Sequence, residues 1–216
     1  MDAVFFGSIG TLAETSHLQL ASYNEAFAAH GLDWHWSEDD YRSMLADAGG
    51  ANRISAYAKS VSENVDHLAI HATKSLLFQQ RLESGLQLRP GVASTILQSR
   101  VEGVKVGLVT TTSTDNVHAV LNATGLSRND FDVILTRGDV RLPKPAPDAY
   151  KIALERMGVS ARRALAIEDN PDGYVAARAA GLKTLAFAGA FHDRGAFPPG
   201  AAFVEAVEIV RYGIAA

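Results

Sequence analysis

Cysteine is absent from all 216 residues, which excludes disulfides, thiolate nucleophiles and zinc–sulfur sites outright. Lys and Arg are scattered and no basic run occurs. With a formal net charge of −4, neither a nucleic-acid partner nor an anionic membrane surface is expected. No apolar stretch approaches the roughly 18–20 residues that span a bilayer, so no membrane segment is expected either. The first residues enter a strand-like run without the layout of a signal peptide, which makes the cytoplasm the expected compartment. Internal repeats and low-complexity tracts are missing as well. What is present is ordinary for a globular protein: 47% hydrophobic and 20% charged residues, in a length suited to one core domain with a smaller insertion.

Short apolar runs alternate with helix-period segments over most of the chain. Strands are expected at Ala3–Phe6, Lys105–Val109, Val133–Leu135, Ala164–Ile167 and Thr184–Phe187. Tyr150, Ala153, Leu154 and Met157 fall at i, i+3, i+4, i+7, and Pro147 sits where a first helical turn tolerates it. Val117, Val120, Leu121 and Thr124 repeat that spacing, with Gly125 as a stop. Strand–helix alternation of this kind predicts a three-layer α/β core, a Rossmann-like parallel sheet covered by helices. Residues 14–84 break the alternation with helical periods around Leu20, Tyr23 and Phe27, around Ile54, Tyr57 and Ala58, and around Leu68, Ala72 and Leu76. They predict an α-helical insertion, residues 14–84, in an α/β core made of residues 1–13 and 85–216.

Ligands of open α/β sheets bind at the carboxyl ends of the strands, so the segments after each strand are where chemistry is sought. Thr110, Thr111, Thr112 and Ser113 place hydroxyls at one such end, a composition suited to a phosphate cradle, although Thr-rich turns often only cap the next helix. Pro143-Lys144-Pro145 holds a lysine between two rings that restrict its backbone; the alternative is a solvated lysine in a proline turn. Glu168-Asp169-Asn170 offers adjacent carboxylates of the kind that suit magnesium, or simple helix capping. His67 and His71 have i, i+4 spacing but no third ligand, which favours a surface pair over zinc. Trp34 and Trp36 flank His35 and are expected to pack. No serine stands in a Gly-x-Ser-x-Gly frame, so Ser-His-Asp catalysis is not supported.

The first strand runs into Phe6-Gly7-Ser8-Ile9-Gly10-Thr11-Leu12. Together with the three later segments, in this order, the chain resembles the haloacid dehalogenase (HAD) superfamily of phosphotransferases over nearly its whole length. It looks most like the branch with a helical cap inserted after the first strand, the β-phosphoglucomutase-like phosphatases. Gly10–Thr15, Asn24–Phe27, His30–Trp34 and Gly49–Ile54 are similar to sugar-bisphosphate phosphatases of the Calvin cycle. The resemblance implies a catalytic motif Asp-x-Asp-Gly-Thr-Leu, whose nucleophile position is here Gly7 and whose acid/base position is Ile9. It implies phosphate binding by Thr110, Thr111 and Lys144, and a magnesium anchor at Glu168 and Asp169. It also implies substrate contacts from the cap by Arg53, Lys74 and Gln19; on helical faces such charges are as often merely solvated.

Gly7 offers no side chain, so no rotamer can bring a carboxylate oxygen in line with phosphorus. Ile9 cannot carry a proton. Ser8, by strand alternation, is expected to point away from the site. Magnesium, short of one carboxylate, is expected to bind weakly or not at all. The expected function is therefore that of a HAD-like hydrolase homologue, a pseudoenzyme that holds a phosphorylated metabolite between core and cap without ordinary phosphatase activity. Two alternatives stand beside it: a sugar-phosphate hydrolase using a non-standard mechanism, and a regulatory or structural protein with a vestigial site.

Overall fold

A computed structural model describes residues 1–46 and 49–208. The chain divides into two compact units, residues 1–14 with 85–216 and residues 15–84.

The first unit is built on a six-stranded, wholly parallel sheet: β1 (Ala3–Phe6), β2 (Lys105–Val109), β3 (Val133–Leu135), β4 (Ala164–Glu168), β5 (Lys183–Ala186) and β6 (Ala202–Phe203). Their spatial order is β3-β2-β1-β4-β5-β6. β1 and β4 are buried at every residue, which is why they read as continuous apolar runs rather than alternating ones. Five strands lie where the apolar runs predict them, within a residue at each end. The two-residue β6 at the sheet edge is too short to leave a periodic signal.

The helices of this unit are α1 (Ile9–Leu12), α6 (Val92–Val101), α7 (Thr114–Thr124), α8 (Asp148–Met157) and α9 (Pro171–Ala179). Ala149, Tyr150, Ala153, Leu154 and Met157 of α8, with Ala176 and Ala177 of α9, pack on Phe5, Val109, Val133 and Ala166 of the sheet. Gly125 and Gly158 close α7 and α8 in the left-handed region, at φ 73° and 63°.

The second unit contains α2 (Ser16–Ala29), α3 (Glu38–Ser43), α4 (Gly50–Ser60) and α5 (His67–Leu82), and no strand among its described residues. Its core is aromatic: Trp36 packs edge-on against Phe27 at 4.6 Å and lies 5.0 Å from Tyr23, while Trp34 meets Tyr57 at 5.0 Å. Asn24 fixes that cluster by donating to the Trp36 carbonyl and accepting from its N–H, both at 2.9 Å. Trp34 and Trp36 are thus core residues, as their spacing suggests. Among the described residues, no helix is long and apolar enough to cross a membrane, and no group of three or more His, Asp or Glu could hold a metal.

Candidate functional site

The register of the sheet brings three strand ends together. β1 pairs with β2 as Phe6↔Leu108 and with β4 as Phe6↔Ile167. One residue further on, Gly7 is brought level with Val109 and Glu168. The Gly7 N–H continues the ladder by donating to the Ile167 carbonyl at 2.8 Å.

Lys144 reaches into this junction from the segment before α8 and is almost wholly buried. Its Nζ donates to the carbonyl of Gly7, to the carbonyl of Val109 at 2.7 Å and to Glu168 Oε1 at 2.6 Å. An ammonium has three protons, and these partners take all of them. Tyr150, in the first turn of α8, donates its hydroxyl to the same Glu168 oxygen at 2.5 Å. The Lys144 ammonium also stands 4.8 Å from the Tyr150 ring centre.

Glu168 has no solvent exposure, and its Oε2 has no hydrogen-bond partner among the described residues. Burial pushes its carboxyl above the usual carboxylate range, against the pull of the Lys144 ammonium. Burial and the Glu168 charge together drive the Tyr150 hydroxyl well above its ordinary value, so it remains a donor.

The glycines explain how so large a group fits. A methyl group placed on Gly7 would fall on the carboxyl carbon and both oxygens of Glu168; one placed on Gly173 would do the same. A methyl group on Gly10 would fall on Asp169 Oδ2. The carboxylate of Glu168, delivered from β4, thus occupies the space that a side chain at position 7 would need. Tyr150 and Gly173 escape sequence reasoning, because Tyr150 satisfies a helix period and Gly173 reads only as part of a helix start; Gly7 is singled out by the sequence, but not the carboxylate that fills its side-chain space.

Ser8 does not behave as alternation predicts. The strand ends at Phe6, so the period-two rule no longer governs Ser8. Ser8 is instead the N-cap of α1: its hydroxyl accepts from the Thr11 N–H at 3.2 Å and donates to Asp169 Oδ1 at 2.7 Å. The same Asp169 oxygen accepts from Asn170 Nδ2 at 2.9 Å. Asn170, not Asp169, caps α9, accepting from the Gly173 N–H at 2.8 Å. Ile9 is buried as the first residue of α1.

Thr110 follows β2 and is buried, with its Oγ1 accepting from the Thr112 N–H at 3.1 Å, and Thr111 beside it is half-buried. Gly7, Ser8, Lys144, Glu168 and Asp169 accordingly form one continuous junction in the α/β unit, and Thr110 follows Val109, whose carbonyl Lys144 also engages.

The other candidate residues belong to the helical unit. Lys74 of α5 is buried; its ammonium donates to Gln19 Oε1 and lies 4.8 Å from the Tyr23 ring and 5.1 Å from the Phe78 ring. Arg53 of α4, also buried, donates to the Met44 carbonyl at 2.9 Å and to the Tyr23 hydroxyl at 3.3 Å. Arg53 and Lys74 therefore converge on Tyr23, with Gln19 held to Lys74. Burial, and after it the Arg53 charge, pushes the Lys74 ammonium down to about 7. Burial, Lys74 and Arg53 also lower His71, which packs beside Gly50 at the start of α4.

A family profile described as haloacid dehalogenase-like hydrolase matches residues 1–181. The chain belongs to the haloacid dehalogenase-like hydrolases. Within that family it is 37% identical over 200 residues to Protein CbbY of Cereibacter sphaeroides, covering 90% of this chain and 86% of that protein. The crystal structure of CbbY from Rhodobacter sphaeroides in complex with phosphate superposes with a TM-score of 0.87 at 34% identity, over 95% of this chain and 94% of that one. A mutant of the same protein in complex with xylulose-(1,5)bisphosphate superposes equally well, with the same identity and coverage. The HAD-like fold, with its Rossmann-like parallel sheet, is thus shown both by the strand order and by the solved relatives.

Proposed function

We propose that this chain binds a phosphorylated small molecule of the sugar-phosphate class and does not hydrolyse it by the aspartyl route of its family. The observation that carries the reading is the Glu168 carboxylate lying in the side-chain space of Gly7, fully buried and bound to Lys144 and Tyr150. A carboxylate so enclosed is not presented to a phosphorus atom, and Gly7 has none to present. Ile9, at the position where the family resemblance implies an acid/base, is apolar and buried.

The anion-binding chemistry is richer than the catalytic chemistry. Arg53 and Lys74, two buried cations with Gln19 beside them, suit one phosphate group; Arg53 contributes a planar fork and Lys74 a point charge. In the α/β unit, Thr110 and Thr111 contribute hydroxyls after the end of β2 that suit an anion. Lys144 acts through its field, because its protons are committed to Gly7, Val109 and Glu168. CbbY's complexes with phosphate and with xylulose-(1,5)bisphosphate make a ketose bisphosphate the first ligand to test.

The magnesium that the family implies does not fit the acidic pair as arranged. Glu168 is fully buried with Lys144 and Tyr150 on its Oε1, and Asp169 Oδ1 already serves Ser8 and Asn170. No step is therefore assigned to a metal.

Calorimetric titration with inorganic phosphate and with xylulose bisphosphate tests the binding. Saturable heat with both, weakened on Arg53→Ala and with the ester recovered intact, is the expected result. Absence of binding by either compound contradicts the reading.

A further inference from the structure

The Ser8–Asp169 contact goes beyond helix capping. Ser8 is half-buried and follows the end of β1, which lies between β2 and β4 in the sheet, with Asp169, after the end of β4, beside it. The hydroxyl proton already points at a carboxylate oxygen 2.7 Å away. One residue back, the Gly7 carbonyl accepts from the Lys144 ammonium, so a cation is held at the peptide group that precedes Ser8. A hydroxyl, a base within hydrogen-bond reach and a nearby cation are the parts of an oxygen nucleophile.

We infer that Ser8 accepts a phosphoryl group from a reactive small phosphodonor, with Asp169 taking its proton. In the step, Ser8 Oγ forms a bond to phosphorus as the bond from phosphorus to the donor's leaving oxygen breaks. The leaving group departs with that electron pair. The Oγ proton passes to Asp169 Oδ1, which also removes the negative charge that would otherwise repel the arriving phosphoryl group. The product is a serine phosphate ester rather than the acyl phosphate that an aspartate would form. Ile9 supplies no acid/base, and a serine phosphate ester is far less reactive toward water than an acyl phosphate, so modification is stoichiometric and persistent. This inference is independent of the ligand-binding reading: a chain that binds no sugar phosphate could still be modified, and one that binds it need not be.

The full chain incubated with acetyl phosphate in chelator-containing buffer, followed by intact-mass measurement and peptide mapping, tests it. One phosphoryl group per chain, located on Ser8 and retained after removal of the donor, is expected. Ser8→Ala should remove the label. Asp169→Asn, which can still accept the Ser8 hydrogen bond but cannot take the proton, should slow labelling on the order of a hundredfold while leaving the melting temperature unchanged. An unlabelled wild-type chain, a label on another residue, or an Asp169→Asn chain labelled at the wild-type rate overturns the inference.

Discussion

At position 7, a methyl group would collide with the Glu168 carboxyl, and the collision is with a side chain held by two hydrogen bonds, not one free to swing away. Gly7→Ala should therefore destabilise the chain by about 1–3 kcal/mol, the usual range for overpacking. The same substitution in a Glu168→Ala background should cost less, with a coupling of about 0.5–3 kcal/mol by urea denaturation of the four chains; strict additivity would mean that the two residues do not share the space. Glu168→Gln alone leaves the Lys144 ammonium buried without its counter-charge and should cost about 3–5 kcal/mol. The same crowding bears on restoring an aspartate: Gly7→Asp by itself has no room until Glu168 moves, so a carboxylate at position 7 is not enough to rebuild the family's site. None of this was legible in the sequence, where glycine at a strand end and glutamate at a neighbouring strand end carry no sign that one fills the other's volume.

Elements were easier to read than their contacts. The strands of the parallel sheet are apolar on both faces, and that double burial is what makes a short run such as Val4-Phe5-Phe6 recognisable. Helix α3 was illegible for the opposite reason: of Glu38-Asp39-Asp40-Tyr41-Arg42-Ser43 only Tyr41 is buried, so no apolar period exists, and its start is set by the Ser37–Asp40 capping box. Ser8 was misread because alternation was carried two residues past the end of β1 into the cap of α1. Two element-scale predictions follow from polar anchors. Asn24→Leu orphans both the N–H and the carbonyl of Trp36 beside the aromatic core of the helical unit and should cost about 1–3 kcal/mol for each group left buried and unpaired, read from urea denaturation followed by tryptophan fluorescence. Asn170→Ala removes the cap of α9 and should cost about 1 kcal/mol, a smaller loss because the rest of the helix stays packed on the sheet.

For the molecule as a whole, the buried charge of Lys74 sets a pH dependence. Its ammonium sits near 7 in the folded chain and near its ordinary 10.5 when unfolded. Between those values the unfolded chain binds more protons, so stability rises with pH across that window; below about 7 both states are protonated and the full penalty of burying the charge is present. Lys74→Met should flatten this rise, as measured by melting temperature at pH 6 and pH 9. Anion binding at Arg53 and Lys74 should run the other way. Sulfate, whose own charge is constant over this range, should bind more weakly as pH rises through 7, because Lys74 is then neutral. Family and fold were legible from the order of the strand-end motifs. The state of the site was not, since it depends on which carboxylate fills which space. The most direct test of the account is phosphate release from xylulose bisphosphate and other sugar phosphates by the purified chain with Mg2+. The account predicts no release above the protein-free control at any magnesium concentration, whereas sustained magnesium-dependent release in proportion to protein concentration would contradict it.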